Sequence, residues 1–263
     1  GTGVSPVVGG DFEPALRLTT PLADLQTLAP LDLASGLQIV NGGQTFVIDT
    51  ATAQTVEDLL NANNNPPAGA LPEISPSGDR LVVRSKLSGA DFAIGENGGT
   101  TATQLGIRSL AVDTLLSNLN FGAGVSELSG TDFTIRRKDG VDLPIDIGSA
   151  ATIGDVLDLI NNDRANLNPP DRVIARPSAF GNGIELFDGN TAAAGQLQVT
   201  RRFGSNAVWD LGLMPVGATA ALGTSSATGD TLTGSDPNLQ EVSGIFNSLL
   251  RLEGGLDSFH RGK

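Results

Sequence analysis

The sequence predicts a β-rich α+β protein of two homologous units, each an antiparallel hairpin, a helix and a second hairpin, followed by a C-terminal amphipathic helix. Three observations lead to this fold class. One amphipathic helix pattern occurs twice, and a strand pair with a glycine turn precedes each copy. The 34 glycines and 14 prolines among 263 residues favour many short elements separated by turns.

The matching segments follow the same order in both halves of the chain. "TPLADL" (20–25) recurs as "TLLSNL" (114–119), and near the end of each half "TQLGI" recurs as "WDLGL". Between them, "GLQIVNGGQTFVID" followed by "TVEDLL" matches "DFTIRRKDGVDLPID" followed by "TIGDVL". This self-similarity predicts a first unit at 11–110 and a second unit at 111–216.

The second helix pattern has a cap and one apolar face. Thr152 is the predicted N-cap, and Asp155, three residues later, has the spacing of a capping box. Apolar residues fall at i, i+3, i+4 and i+7, namely Ile153, Val156, Leu157 and Ile160. Asp155 and Asp158 then face solvent in the first turn, where acidic side chains favour the helix dipole.

The first helix pattern is a weaker copy. Thr55 and Asp58 have the same cap spacing, and an apolar face begins at Val56. The fourth position of that face is Asn63, so we expect this helix to be shorter.

The apolar pattern also fixes the register of the hairpin before each helix. In the first unit a two-residue Gly42-Gly43 turn places Ile39 opposite Phe46. In the second unit a two-residue turn would put the apolar positions of the two strands on opposite faces. A three-residue loop ending in a left-handed Gly140 restores them to one face and places Arg136 opposite Asp142.

Two more strand patterns follow each helix. They are 80–86 with 91–96, and 183–188 with 196–202, and we interpret each pair as the second hairpin of its unit. The stretch before each pair is rich in Pro and Asn, which predicts loop with room for an edge strand.

The remaining residues differ in composition from both units. The Gly/Ser/Thr/Ala-rich stretch 217–238 predicts a flexible linker. After it, 239–263 carries an a/d heptad pattern that predicts the start of a coiled-coil helix: Val242, Ile245, Leu249, Leu252, Leu256 and Phe259. For so short a run, a helix packed on its own domain is the simpler alternative, and two adjacent glycines weaken the pattern further.

Charge and composition exclude several classes of protein. A net charge of -13 and a pI near 4.3 argue against nucleic acid and anionic membrane surfaces as partners. The sequence contains no run of about 18 apolar residues, so it predicts no membrane-spanning helix. The start of the sequence has no signal-peptide pattern, which leaves a cytosolic protein, one exported without a cleaved signal, or a piece of a longer chain.

Catalytic chemistry has few candidate residues. The single histidine, His260, is expected to be a solvated residue near the chain end, and it would have to support any Ser-His-Asp triad or His-based metal site. The glycine-rich 95–101 lacks a following lysine and a helix start, which favours a turn over a phosphate cradle. Asp155 and Asp158 are most simply first-turn acids, although only their separation in space could exclude a glycosidase pair. We predict no enzyme activity, catalytic residue or cofactor.

Calcium binding is a stronger alternative than catalysis. Three turn regions supply Asp, Asn and backbone carbonyls, the ligands that calcium prefers: 137–142, 186–191 and 228–238. None has the twelve-residue EF-hand pattern, and Asp-Gly and Asp-Pro are ordinary turn sequences. We therefore predict no metal site and keep calcium as an alternative.

The cassette of hairpin, "TIGDVLDLIN", strand pair and "ENGGTTATQLGI" resembles the flagellin hook IN motif of bacterial flagellar hook-associated proteins and flagellins. The ending "DPNLQEVSGIFNSLLRLEGGL" is similar to the start of the C-terminal helical region of the protein that joins hook to filament. The resemblance covers about residues 11–256 and is spread over a repeated pattern.

The resemblance implies a structural protein of the flagellum, exported without a cleaved signal peptide, with this β-rich region facing outward. Its partners would be hook-associated proteins, flagellin and an export chaperone. Because the sequence has none of the family's N-terminal helical region, we expect this chain alone to be monomeric. The alternative from a different class is an extracellular β-rich adhesin or a glycan- or protein-binding module, with or without bound calcium.

Overall fold

The structure is a computed structural model that describes most of the chain. The described residues are 15–25, 30–64, 66–87, 91–167 and 172–238. Within them the protein is a mixed α+β fold with more strand than helix, and its sheets are antiparallel. The predicted fold class is confirmed at that level. The C-terminal helix predicted at 239–263 lies outside the described residues.

The elements are short, as the glycine and proline content predicted. The strands are β1 Leu37–Asn41, β2 Gln44–Ile48, β3 Ala70–Ile74, β4 Leu81–Ser85, β5 Ala93–Asn97, β6 Phe133–Arg136, β7 Asp142–Ile145, β8 Val173–Pro177, β9 Phe180–Gly181, β10 Ile184–Asp188, β11 Gln198–Arg201, β12 Ala220–Leu222, β13 Thr224–Ser226 and β14 Gly229–Thr233. The helices are α1 Val56–Asn63, α2 Thr101–Gln104, α3 Leu119–Gly122, α4 Ile153–Asn161 and α5 Ala207–Asp210. In the part of the chain that the structure describes, no helix is both long and apolar enough to cross a membrane.

The same series of strand pairings occurs in both halves of the chain. The strand orders in the described residues are β2-β1-β5-β9, β7-β6-β11-β12, β13-β14-β10-β8 and β3-β4. The order β2-β1-β5 in the first half therefore corresponds to β7-β6-β11 in the second. The hairpin β3-β4 likewise corresponds to the hairpin β8-β10.

Both predicted hairpin registers are confirmed. Ile39 lies opposite Phe46, and both residues of the Gly42-Gly43 turn have a left-handed φ, of 60° and 73°. In the second hairpin Arg136 lies opposite Asp142, with Nε–Oδ1 and Nη2–Oδ2 distances of 2.7 and 2.8 Å. The turn glycine of that hairpin, at position 140, has a φ of 87°. The extra loop residue thus keeps the apolar positions of β6 and β7 on one face.

Both predicted capping boxes are also confirmed. The Thr152 hydroxyl accepts the Asp155 N–H at 3.1 Å, and the Asp155 carboxylate accepts the Thr152 N–H at 2.8 Å. In α1 the corresponding Thr55 and Asp58 bonds measure 3.2 and 3.0 Å. Each box satisfies two N–H groups that a helix start would otherwise leave without partners.

Thr152→Ala is expected to lower the free energy of unfolding by about 1 kcal/mol, because the Asp155 N–H loses its acceptor. Urea unfolding at neutral pH measures this change. The matched replacement Thr55→Ala in α1 is expected to give a loss of the same size, whereas Thr152→Ser keeps the acceptor and stays near the parent value. Equal midpoints for Thr152→Ala and the parent would show that the cap does not stabilise α4.

The stabilising effect of Asp155 is expected to depend on pH. Hydrogen bonds from the Ala151 N–H and from Thr152 hold the pKa of Asp155 below its ordinary value. A carboxylate with a lowered folded-state pKa stabilises the protein above its unfolded pKa, near about 4, and loses this effect as the pH falls through the folded value. The unfolding midpoint of Asp155→Ala should therefore lie below the parent at pH 7 and approach it as the pH falls through the lowered folded-state pKa of Asp155. Asp158→Ala, which removes an exposed acid of the same helix and leaves the capping box intact, is the control and should have an unfolding midpoint close to the parent at pH 7.

The two helices bury their predicted faces. Ile153, Val156, Leu157 and Ile160 belong to the largest buried cluster, and α4 packs against β8 and β7. In α1 the fourth position of the face is Asn63, whose side chain is buried and donates to the Leu59 carbonyl at 2.9 Å. As predicted, α1 is the shorter helix, with eight residues against nine in α4.

The pairing predicted for the second hairpins is wrong. The strand patterns 80–86 and 91–96 do not pair with each other, because β4 pairs with β3 and β5 returns to β1. The same holds in the second half, where β10 pairs with β8 and β11 returns to β6. The physical reason is that the Pro-rich stretches contain β3 and β8. Proline is tolerated in both because β8 is an edge strand and β3 belongs to a two-stranded sheet.

The flexible linker predicted at 217–238 is also wrong. This segment contains β12, β13 and β14, and β14 lies inside a sheet between β13 and β10. Asp230 and Leu232 on β14 are buried. The Thr and Leu residues of this segment alternate across a pleated strand, and the glycines lie at its turns, so composition alone gave a misleading prediction.

Candidate functional site

Two clusters of buried charged side chains join elements that are far apart in the sequence. The lysine cluster consists of Lys138, Asp188 and Asp230. The arginine cluster consists of Arg108, Glu96, Asn182 and Asp236. Burial of charge costs free energy unless each group is paired and hydrogen bonded, so both clusters are the places to look for function.

The lysine cluster forms where the β6-β7 loop meets the sheet of β10 and β14. Asp188 and Asp230 are direct cross-strand partners on β10 and β14, and both are fully buried. The Lys138 side chain is 9% exposed, and its Nζ lies 2.8 Å from Asp230 Oδ1. The backbone N–H of Lys138 donates to Asp188 Oδ2, also at 2.8 Å. Lys138 thus contacts both facing carboxyl groups, Asp230 through its ammonium and Asp188 through its backbone N–H.

Further donors fix both carboxyl groups of the lysine cluster. Asp230 Oδ2 accepts the Leu197 N–H at 3.0 Å, and Asp188 Oδ1 accepts the Asn190 N–H at 3.0 Å. Burial raises the pKa of Asp230, but hydrogen bonds from Lys138, the Leu197 N–H and Ser225 outweigh it and hold that pKa below its ordinary value. Asp230 is therefore a carboxylate at neutral pH.

The three candidate calcium loops meet at this cluster. Lys138 comes from 137–142, Asp188 from 186–191 and Asp230 from 228–238. The cation at this place is the ammonium of Lys138, which pairs with Asp230. Among the described residues, no three His, Cys, Asp or Glu side chains come together as a metal-binding set.

The arginine cluster lies between the two halves of the chain. The Arg108 side chain is 5% exposed, and its Nε donates to Asn182 Oδ1 at 2.9 Å. Its Nη2 donates to the Ser178 carbonyl at 2.9 Å, and its Nη1 lies 3.8 Å from Glu96 Oε1. Burial lowers the pKa of Arg108, and the charges of Glu96 and Asp236 oppose that shift. Burial also raises the pKa of Asp236, while Asn182 and Arg108 act in the opposite direction.

The tip of the β8-β10 hairpin docks on the first half through this cluster. The short strand β9 at that tip pairs with β5. The Asn182 amide donates to the Ile94 carbonyl at 2.6 Å and to the Ser109 hydroxyl at 2.8 Å. The backbones approach so closely that a Cβ at Gly95 would lie 2.3 Å from the carbonyl carbon of Gly181. A glycine at position 95 is therefore required for the two halves to share one sheet.

Asn182→Ala is expected to lower the free energy of unfolding by about 1–3 kcal/mol, because Arg108 and the Ile94 carbonyl lose buried partners. Amide exchange adds a local test, since the Gly98 N–H donates to the Ala179 carbonyl across the junction. We expect this amide to exchange faster in the variant. The matched control is Asp79→Ala at the corresponding tip of the β3-β4 hairpin, which should leave that amide unchanged. Unaltered exchange at Gly98 in Asn182→Ala would contradict the docking role.

The other sequence candidates lie apart from both clusters, with one exception. Segment 95–101 does lead into a helix start, contrary to the prediction, because α2 begins at Thr101. The Glu96 carboxylate accepts the N–H groups of Ala102 and Thr103 at 3.0 and 2.8 Å. An internal carboxylate thus occupies the place that a phosphate would take.

The acidic pair Asp155 and Asp158 lines an open cleft of about 480 Å³, but Asp155 is engaged in the cap. A second open cleft of about 600 Å³ is lined by Glu127 and Asp146. His260 lies outside the described residues.

No protein-family model, curated protein or solved structure matches this chain. What the protein does must therefore be argued from its own residues.

Sequence reasoning missed Arg108, Lys138 and Asn182 as members of buried clusters. A signal existed for Lys138, which directly precedes an Asp-Gly turn and is one of three lysines in the chain. For Arg108 and Asn182 the local sequence has no such signal, since the groups that they hydrogen bond lie about 70 or more residues away in the chain.

Proposed function

We propose that this chain is a structural part of the bacterial flagellum, the outward-facing central region of a hook-filament junction protein or of a flagellin. In this proposal two homologous hairpin-helix-hairpin units, predicted at 11–110 and 111–216 and extended in the second case by β12–β14, precede a coiled-coil helix at 239–263. The chain acts through contacts with other flagellar subunits and not through catalysis. It is exported to the cell exterior without a cleaved signal peptide, and it binds neither nucleic acid nor membrane.

The observation that carries this proposal is that the two halves of the chain repeat the same local structure, down to individual hydrogen bonds. The first helical N–H of α1, at Val56, donates to the Thr20 carbonyl at 3.0 Å. The first helical N–H of α4, at Ile153, donates to the Thr114 carbonyl, also at 3.0 Å. The same segments carry the sequence resemblance to the hook IN motif. A unit used twice supports a role as a building element, because a catalytic site needs only one copy of its residues.

The junction between the two halves gives further support. The β9-β5 pairing and the buried arginine cluster fix one half on the other, as a spacer between subunits requires. In the lysine cluster the charged groups are already bonded within the chain, which leaves them poorly suited to bind a substrate.

The calcium-dependent binding module is the less favoured alternative. Its three candidate loops converge on Lys138, whose ammonium takes the place of the ion. We expect addition of millimolar calcium to leave the unfolding midpoint unchanged, whereas binding to the folded state would raise it by mass action.

Deletion of the gene in its native host tests the proposal. Loss of filaments and motility, restored by the full-length gene, is the expected result. Hooks without filaments, with flagellin released into the medium, would identify a junction protein, and loss of the filament protein itself would identify a flagellin. Normal filaments and motility in the deletion strain would overturn the proposal.

A further inference from the structure

The lysine cluster contains the groups needed to form an amide bond within the chain. An amine, at Lys138, and a carboxyl group, at Asp230, lie 2.8 Å apart between Nζ and Oδ1. A second buried carboxyl group, at Asp188, lies directly opposite Asp230 in the strand ladder. We propose that Lys138 and Asp230 become joined by an isopeptide bond between Nζ and Cγ.

The ion pair can pass to a neutral form by one proton transfer. The Lys138 side chain is 9% exposed and both aspartates are fully buried, so little solvent reaches the pair. Low dielectric disfavours separated charges, so the neutral amine and carboxylic acid form a minor state in exchange with the resting Asp230 carboxylate. The 2.8 Å hydrogen bond from Lys138 to Asp230 is the path by which the ammonium passes a proton to the carboxylate.

The step then balances as an ordinary condensation. The neutral Lys138 amine attacks Cγ of the protonated Asp230, and the C–N bond forms as the carbonyl becomes tetrahedral. Asp188 takes the proton from the attacking nitrogen and returns it to the departing hydroxyl, which leaves as water. The Leu197 N–H and the Ser225 hydroxyl, which already bond to Asp230, stabilise the developing oxyanion. The products are one secondary amide and one water, with no oxidant or reductant.

In the described residues, no other ion pair joins a buried lysine amine to a carboxyl group that faces a second carboxyl group. Lys86, the other lysine there, lies at the surface and donates to the Asn64 side chain. The remaining ion pairs use arginine, whose guanidinium stays protonated and is a poor nucleophile. The bond would tie the β6-β7 loop to β14 across 92 residues of sequence.

Intact mass spectrometry of the purified full chain tests this inference. The cross-linked protein is one water, about 18 Da, lighter than the sequence mass, and its digest contains a branched peptide that joins Lys138 to Asp230. Lys138→Arg should restore the full mass, and the matched surface variant Lys86→Arg should keep the loss. Asp188→Asn should slow formation of the bond by about 100-fold.

Two results would overturn the proposal. The first is a parent protein at full sequence mass after prolonged incubation of the folded chain, with no branched peptide. The second is a mass loss that Lys138→Arg retains and that hydroxylamine converts to a hydroxamate, because this identifies a succinimide at an Asp-Gly turn.

Discussion

Lys138→Met is expected to lower the free energy of unfolding by about 3–5 kcal/mol. The variant leaves Asp188 and Asp230 facing each other in a buried site without a cation. Loss of a buried partner costs more than the pair itself contributes, because the remaining charge has no solvent. Where the amide has formed, loss of the cross-link adds to this effect. Urea unfolding at neutral pH measures the change.

Two variants separate charge burial from general damage to the loop. Lys86→Met removes an exposed ammonium and is expected to change stability by less than about 0.5 kcal/mol. Adding Asp230→Leu to Lys138→Met removes the uncompensated carboxylate and should recover part of the loss. If Lys138→Met is as stable as Lys86→Met, the cluster does not hold the β6-β7 loop on the sheet.

Ile39→Ala and Ile135→Ala are expected to cost about 2–5 kcal/mol each, because both side chains are fully buried at corresponding positions of β1 and β6. The two residues belong to different core clusters. Their effects should therefore add in the double variant to within about 0.5 kcal/mol. Urea unfolding of the two single variants and the double variant measures this.

The control for the second prediction is a valine at an exposed position of the same sheet. Val47→Ala on β2, a side chain 58% exposed, should cost far less than Ile39→Ala. If only one of the two isoleucine replacements lowered the free energy of unfolding, β1 and β6 would not have equivalent places in their halves.

The local structure could be predicted well because its determinants are close in the sequence. The caps at Thr55 and Thr152 and the loop ending at Gly140 each depend on residues within a few positions. The extra residue in the second hairpin loop could even be counted by comparing the two halves. Because the pattern occurs twice, each half provided a check on the prediction made for the other.

Strand partners could not be predicted in the same way. Whether β5 pairs with β4 or returns to β1 is decided by which apolar faces pack together, and that depends on the whole core. The segment 217–238 failed for a related reason. Its small residues are typical of linkers. The segment nevertheless forms strands, because Leu232 is buried and β14 pairs with β10.

The buried clusters depend on residues that only the fold brings together. Lys138 and Asp230 are 92 positions apart, and Arg108 and Asn182 are 74 apart. The sequence did indicate the three acidic loops around Lys138, but it suggested them only as ordinary turns or, as an alternative, as calcium ligands. The structure changes that interpretation, because the cation there belongs to the chain.

Gold labelling of intact cells tests the central proposal, a structural role in the flagellum, most directly. Antibodies raised against residues 15–238 would be applied to native cells of the host and viewed by electron microscopy. The account predicts gold at the hook-filament junction, or along the filament if the protein is a flagellin, and none on cells that lack flagella. Label spread over the cell surface, or equal label on flagellated and non-flagellated cells, would contradict it.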